Sequence, residues 1–150
     1  FLNVLINLVE ELPEYKLCIR VHPNLKNKVK PNLSDWEEIK KNKNVLLFDC
    51  FSKVDSVEII DYSDIVVCWE SSLIETAAYL RKKTILLNDL LYKNISIANF
   101  VENNSQLRKA IIEKNVDKDL YRNSAIDLAF FRCNEGFDSK YLLNNCELKI

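Results

Sequence analysis

The sequence predicts an α/β domain, a parallel sheet of four to six strands with helices on both faces, and three observations carry that expectation. Short apolar runs begin near residues 16, 45, 65 and 84, and polar residues follow each of them. Most of these runs lead into a stretch whose apolar residues recur at helical spacing, so strands alternate with helices, the pattern of a parallel sheet covered on both sides. At 150 residues the chain is long enough for one domain, spanning 1–150, that buries about 70% of its unfolded surface.

Taken in order, residues 1–12 carry apolar side chains at 1, 2, 5, 6, 8, 9 and 12, nearer a period of 3.6 than of 2, and Pro13 closes this first helix. Residues 16–21 (KLCIRV) read as a buried strand stopped by His22 and Pro23, because proline lacks the donor that a strand interior needs. The polar stretch 24–34 is a loop. Ser34 or Asp35 can cap a short helix reaching Lys41, and 44–48 (NVLLF) is the second strand. Asp55 and Glu58 stand at capping-box spacing before a helix that ends near Ser63. Residues 65–69 form the third strand. A helix over 72–81 follows, with Leu73, Ala77 and Leu80 on its apolar side, and 84–88 (TILLN) is the fourth strand. Beyond Asn88 the pattern weakens to a short strand over 99–102, a helix capped by Ser105 that ends about Lys114, and a helix over 120–132. Gly136, the single glycine, breaks the chain before a last helical turn or two, so that 115–150 forms a helical tail.

Composition narrows the function classes. Hydrophobic residues at 48% with 29% charged are those of an ordinary globular domain, and a net charge of −1 with only short lysine clusters supplies no field for nucleic acid. No apolar run approaches the roughly 20 residues of a membrane span, and no signal-peptide pattern opens the chain. The expected location is cytoplasmic, with any attachment to the inner face of the membrane made through another part of the protein or a partner. The chain lacks methionine even at its first position, which reads as a fragment of a longer protein. Cys18, Cys50, Cys68, Cys133 and Cys146 are widely spaced without a CxxC pair. Neither a zinc site nor a disulfide framework is expected from them, and buried free thiols are.

In an open parallel sheet, ligands bind at the carboxyl ends of the strands, where following helices present unsatisfied N–H groups. The residues just after the strands are His22, Pro23 and Asn24, then Asp49, Phe51 and Ser52, then Trp69, Glu70, Ser71 and Ser72, then Asn88 and Asp89. Ser71 and Ser72 either seat a phosphate at the helix N-terminus or merely cap that helix. Glu75, on the first turn, either folds back on the N-cap N–H of Ser72 or accepts from ribose hydroxyls. His22 is the only histidine. Its imidazole either is an ordinary surface or core group or donates to a phosphate and offsets charge on a leaving group, with Pro23 fixing the turn. Phe51 and Trp69 either stack a nucleobase or pack in the core. Asp49, Asp55, Asp61 and Asp64 are scattered turn and cap residues, so no metal is expected, and no GxSxG elbow is present.

Together, "IRVHPN", "DSVEIIDYSDIVVCW" and "SSLIETAAYLRKKTILL" resemble the C-terminal, donor-binding domain of GT-B glycosyltransferases. The likeness is to bacterial surface-polysaccharide (capsule and lipopolysaccharide) enzymes of the sialyltransferase, Kdo transferase and glycerophosphotransferase type, and it covers about residues 15–90. The resemblance implies a Rossmann-like sheet forming half of a GT-B fold. It implies that a His-Pro motif, here His22 and Pro23, and a Ser-Ser motif, here Ser71 and Ser72, hold the donor phosphate. Glu75 matches the acidic residue that meets the ribose, and the 49–52 loop matches the region bordering the base. The implied donor is a CMP-, CDP- or UDP-linked sugar, with no metal or other cofactor. The acceptor site and general base would come from an N-terminal domain, so this chain alone would be inactive. Related sequences often have glycine where this one has Glu70, and glycine and proline where it has Arg81 and Lys83. The alternatives are a polyol-phosphate transferase with a CDP-linked donor, or a non-catalytic α/β binding module whose serine pair is only a cap.

Overall fold

The computed structural model describes residues 1–27, 33–69, 71–87, 92 and 94–134, without the side chains of 26, 27 and 33–36. Its elements run α1 (Leu2–Glu11), β1 (Leu17–Arg20), a 3₁₀ turn (Pro23–Asn27), α2 (Leu33–Lys40), β2 (Val45–Phe48), α3 (Ser56–Asp61), β3 (Ile65–Cys68), α4 (Leu73–Tyr79), β4 (Lys83–Leu86), β5 (Asn99–Phe100), α5 (Asn104–Ile112) and α6 (Lys118–Asn134). The fold is mixed α/β, and the strand pairings are parallel.

The single sheet of four to six strands expected from the sequence is not what forms. Among the described residues the strands make two ladders, β1-β2 and β3-β4-β5. Leu17 stands opposite Val45 in the first and Ile65 opposite Lys83 in the second. Helix α1 touches both. The Val9 carbonyl accepts from buried Asn44 Nδ2 at 2.8 Å just ahead of β2, while Leu8 packs in one cluster with Ile85, partly buried Ile65 and partly buried Val67 of the larger sheet.

That helix also gives the direction of the larger sheet. Its first residue, Phe1, meets Trp69 at the exit of β3 edge-on, at 5.6 Å and 71°. Its last turn lies at the strand entries: Glu10 accepts from Asn42 Nδ2 at 2.9 Å before β2, and Glu11 pairs with Arg108 of α5. The carboxyl end of α5 in turn receives Lys83 at the entry of β4. With about 15 Å of helix against about 13 Å of strand, α1 runs antiparallel to β3 and β4, and β2 begins beside its last turn.

Two apolar layers hold the larger sheet. Ile85 packs with Leu8, Leu107 and Ile111 on the side of α1 and α5, and Leu86 packs with Ile74, Ala78, Tyr121 and Ala125 on the side of α4 and α6. Adjacent strand residues point to opposite faces, so β4 is buried along its whole length. Each fully buried isoleucine or leucine there contributes about 1.5–3 kcal/mol. Lys83 is buried as well, and its ammonium donates to the Ile111 carbonyl at 2.9 Å and to the Glu113 carbonyl. Burial pulls its pKa below the ordinary lysine value, against the opposing charge of Glu113.

Several local expectations shift. Asp55 does cap α3, accepting from Val57 N–H at 2.9 Å. The cap of α5 is Asn103 and not Ser105: its side chain accepts from Gln106 N–H at 2.9 Å, and Gln106 Oε1 accepts from Glu102 N–H at 2.7 Å. The Asn103 side chain thus satisfies one free donor of the first turn, and Gln106 reaches back one residue past the cap to hold the incoming chain. Helix α2 begins at Leu33, so Ser34 and Asp35 fall in its first turn. The buried face of α4 is Ile74, Ala77 and Ala78, and α6 extends beyond 120–132 at both ends. The thiols are free but not uniformly buried: Cys50 is buried, Cys68 partly so, and Cys18 and Cys133 are exposed. Cys18 lies opposite Leu46, 57% exposed, so this side of the two-stranded sheet is open. Gly136, the rest of the tail after Asn134, and Cys146 lie outside the described residues. Among the described residues no helix is long and apolar enough to cross a membrane.

Candidate functional site at the strand exits

Parallel pairing sets the exits of β1 and β2 side by side, and likewise those of β3 and β4, so the residues that follow the strands fall into two groups. At the exit of β1, Val21 N–H donates to the Phe48 carbonyl at 2.9 Å and prolongs the ladder, and the chain then turns through exposed His22, Pro23 and Asn24. The His22 carbonyl accepts from Leu25 N–H at 3.0 Å, closing the 3₁₀ turn. The His22 Nδ1 accepts from Asn24 N–H at 3.1 Å. An accepting Nδ1 carries no proton, so the neutral ring is the Nε2–H tautomer, with Nε2 as its donor.

At the exit of β2 the chain makes a tight turn. Asp49 Oδ1 accepts from Phe51 N–H at 2.9 Å and the Asp49 carbonyl from Ser52 N–H at 3.2 Å. Ser52 Oγ accepts from Val54 N–H at 3.3 Å. This Asx turn leaves the Phe51 side chain 67% exposed. One residue not singled out in the sequence ties the turn to β1. The Arg20 Nη1 donates to the Val21 carbonyl at 2.5 Å and the Asp49 carbonyl at 3.2 Å, and Nη2 to the Ser52 carbonyl at 3.4 Å. An arginine as the last residue of an otherwise apolar strand was the available signal.

At the exit of β3, Trp69 is 58% exposed, so neither strand-end aromatic is a core residue. Glu70 lies outside the described residues, as do Asn88 and Asp89. Ser71 does the capping of α4: its Oγ accepts from Leu73 N–H at 3.3 Å, and its carbonyl accepts from Ile74 N–H at 3.1 Å. Ser72 is exposed, and its hydroxyl makes no capping bond among the described residues.

Glu75 is engaged elsewhere. Its carboxylate accepts from Tyr92 Oη at 2.6 Å and from Arg132 Nη1 at 2.7 and 2.6 Å, which links α4 to α6. Burial, then the bond to Glu75, raises the Tyr92 hydroxyl above its ordinary pKa, and the bond to Glu75 raises that of Arg132. The fold-back of Glu75 onto Ser72 at capping-box spacing is therefore replaced by a tertiary contact.

The strand exits thus offer an imidazole N–H, a serine hydroxyl and two exposed aromatic rings, which are neutral donors for an oxyanion and flat faces for a base. Among the described residues no group of three His, Cys, Asp or Glu side chains is placed to hold a metal ion. No family model, no curated protein and no solved structure matches the chain.

Proposed function

We propose that this chain is the nucleotide-sugar-binding, C-terminal domain of a GT-B glycosyltransferase that builds a bacterial cell-surface polysaccharide. The observation that supports the reading is the parallel pairing that sets His22 beside the 49–52 turn at the exits of β1 and β2, with Trp69, Ser71 and Ser72 following β3; on this reading the two groups face one donor. On this reading β2-β1-β3-β4-β5 act as one doubly wound, Rossmann-like layer, supported by the helices found on both faces of the larger sheet. The His22 Nε2–H and the Ser72 hydroxyl bind the donor phosphate and offset charge as the nucleotide leaves. Side chains carry this contact, since α4 is seven residues long and Ser71 already occupies the Leu73 N–H. Trp69 or Phe51 stacks the base. An N-terminal domain supplies acceptor site and general base, and the protein works at the cytoplasmic face of the membrane.

A second reading has its own support. Ser71 as a cap and Glu75 held by Tyr92 and Arg132 are also what a non-catalytic α/β module would contain. Titration of CMP, CDP, UMP and UDP followed by amide chemical shifts separates the two. Shifts centred on His22 and on Ser71 and Ser72 support the transferase domain. A folded protein that shows no response at millimolar nucleotide refutes it and favours the module.

A further inference from the structure

We propose that Arg20 is the positioning residue of the β1 and β2 exits: its guanidinium fork staples the 49–52 turn to the exit of β1, so that the turn and His22 meet an anionic nucleotide as one preorganised unit. The proposal rests on the donor-site reading above and deepens it.

The geometry is specific to arginine. Arg20 closes β1 opposite Phe48, the last residue of β2, so the two chains part directly above it. From there a single guanidinium reaches the carbonyls of Val21, Asp49 and Ser52. These belong to both exits and to both ends of the turn. A planar fork with five fixed donors can hold three divergent carbonyls, whereas an ammonium is a compact point with a mobile stem. Inside the turn, the bonds from Asp49 to Phe51 and Ser52 set its shape but do not tie it to β1. Only Arg20, among the described residues, has side-chain hydrogen bonds to both exits.

The acceptors are neutral carbonyls. Among the described residues the Arg20 charge is not paired with a carboxylate, and it lies two residues from His22, where a phosphate would be attracted. Binding that relies on several weak neutral donors depends on their being held in place before the ligand arrives. Loosening the turn spreads its positions and weakens the complex without removing any ligand contact.

The test uses the intact protein with Arg20→Lys, which keeps the charge and loses the fork, and Arg20→Gln, which keeps neutral donors and loses the charge; either folded variant suffices. Amide hydrogen exchange in the ligand-free protein reads the staple, and titration with CMP and UDP reads its consequence. The expected result is faster exchange at Phe51 and Ser52 and about tenfold weaker nucleotide binding in Arg20→Lys. Unchanged exchange at the turn overturns the staple. Faster exchange with wild-type affinity overturns the positioning role while leaving the donor reading intact. A wild-type protein that binds no nucleotide removes the donor reading and this inference with it, an outcome distinct from the other two.

Discussion

Replacing Glu75 by alanine tests which of its contacts matters. In the folded chain the carboxylate, 20% exposed, accepts from Tyr92, which is itself 5% exposed, and from Arg132, whose side chain is 48% exposed. The bond from a buried hydroxyl to a charged acceptor is worth about 1.5–3 kcal/mol. The ion pair is half in water, so solvent screening limits it to about 1 kcal/mol or less. Glu75→Ala should therefore cost about 1.5–4 kcal/mol, Tyr92→Phe about 1.5–3, and Arg132→Ala no more than about 1, against a total stability of about 5–15. Urea unfolding with linear extrapolation measures all three, and a double-mutant cycle between positions 75 and 92 isolates the coupling. Equal losses for Glu75→Ala and Arg132→Ala would show that the ion pair, not the buried hydrogen bond, holds α4 to α6. A Glu75→Ala protein of unchanged stability that binds nucleotide poorly would return Glu75 to the ribose.

Burial of Cys68 pushes its thiol from 9.0 up to about 11, so iodoacetamide at pH 8 should modify exposed Cys18 and Cys133 well before Cys68, and equal rates by mass spectrometry would contradict the burial. A raised folded pKa means that the stabilising contribution is complete below the unfolded value and is lost as pH climbs; Cys68 and the raised hydroxyls of Tyr92 and Tyr121 should together make alkaline titration above about pH 9 progressively destabilising. Circular dichroism at rising pH follows this, and Cys68→Ala should flatten the early part. Arg81 sits at φ 55° just past α4, a left-handed conformation costing a non-glycine residue about 1–2 kcal/mol, so Arg81→Gly should keep or raise the melting temperature even though it removes the exposed pair with Asp119. A clear drop would assign the larger role to that ion pair. Lys83→Met should destabilise by about 1–3 kcal/mol in urea, because two carbonyls at the end of α5 lose their buried donor. Neutral behaviour would mean that water replaces the ammonium there.

The residues that were legible in the sequence are those whose behaviour depends on near neighbours. The four main strands showed as apolar runs, and the cap at Asp55 lay two residues from its Val57 donor. Where two candidates stood close together, pattern failed: Ser105 looked like a cap, but the helix begins at Asn104 and the Asn103 side chain accepts from Gln106 N–H. The strand-exit position of His22, the 49–52 turn, Trp69, Ser71 and Ser72 was likewise readable, because strand direction in a parallel layer follows from alternating helices.

What the sequence by itself determined is therefore the α/β class, the order of elements and the list of residues available at the strand exits. Tertiary structure alone decided that the strands split into two ladders, that Arg20 reaches Asp49 and Ser52 across 29 and 32 residues, and that Glu75 is taken by Arg132 from 57 residues away. Backbone preferences and caps act over a few residues and leave a local trace in composition. A guanidinium or carboxylate chooses its partner by which groups packing brings within about 3 Å, and that choice has no period or spacing in the chain.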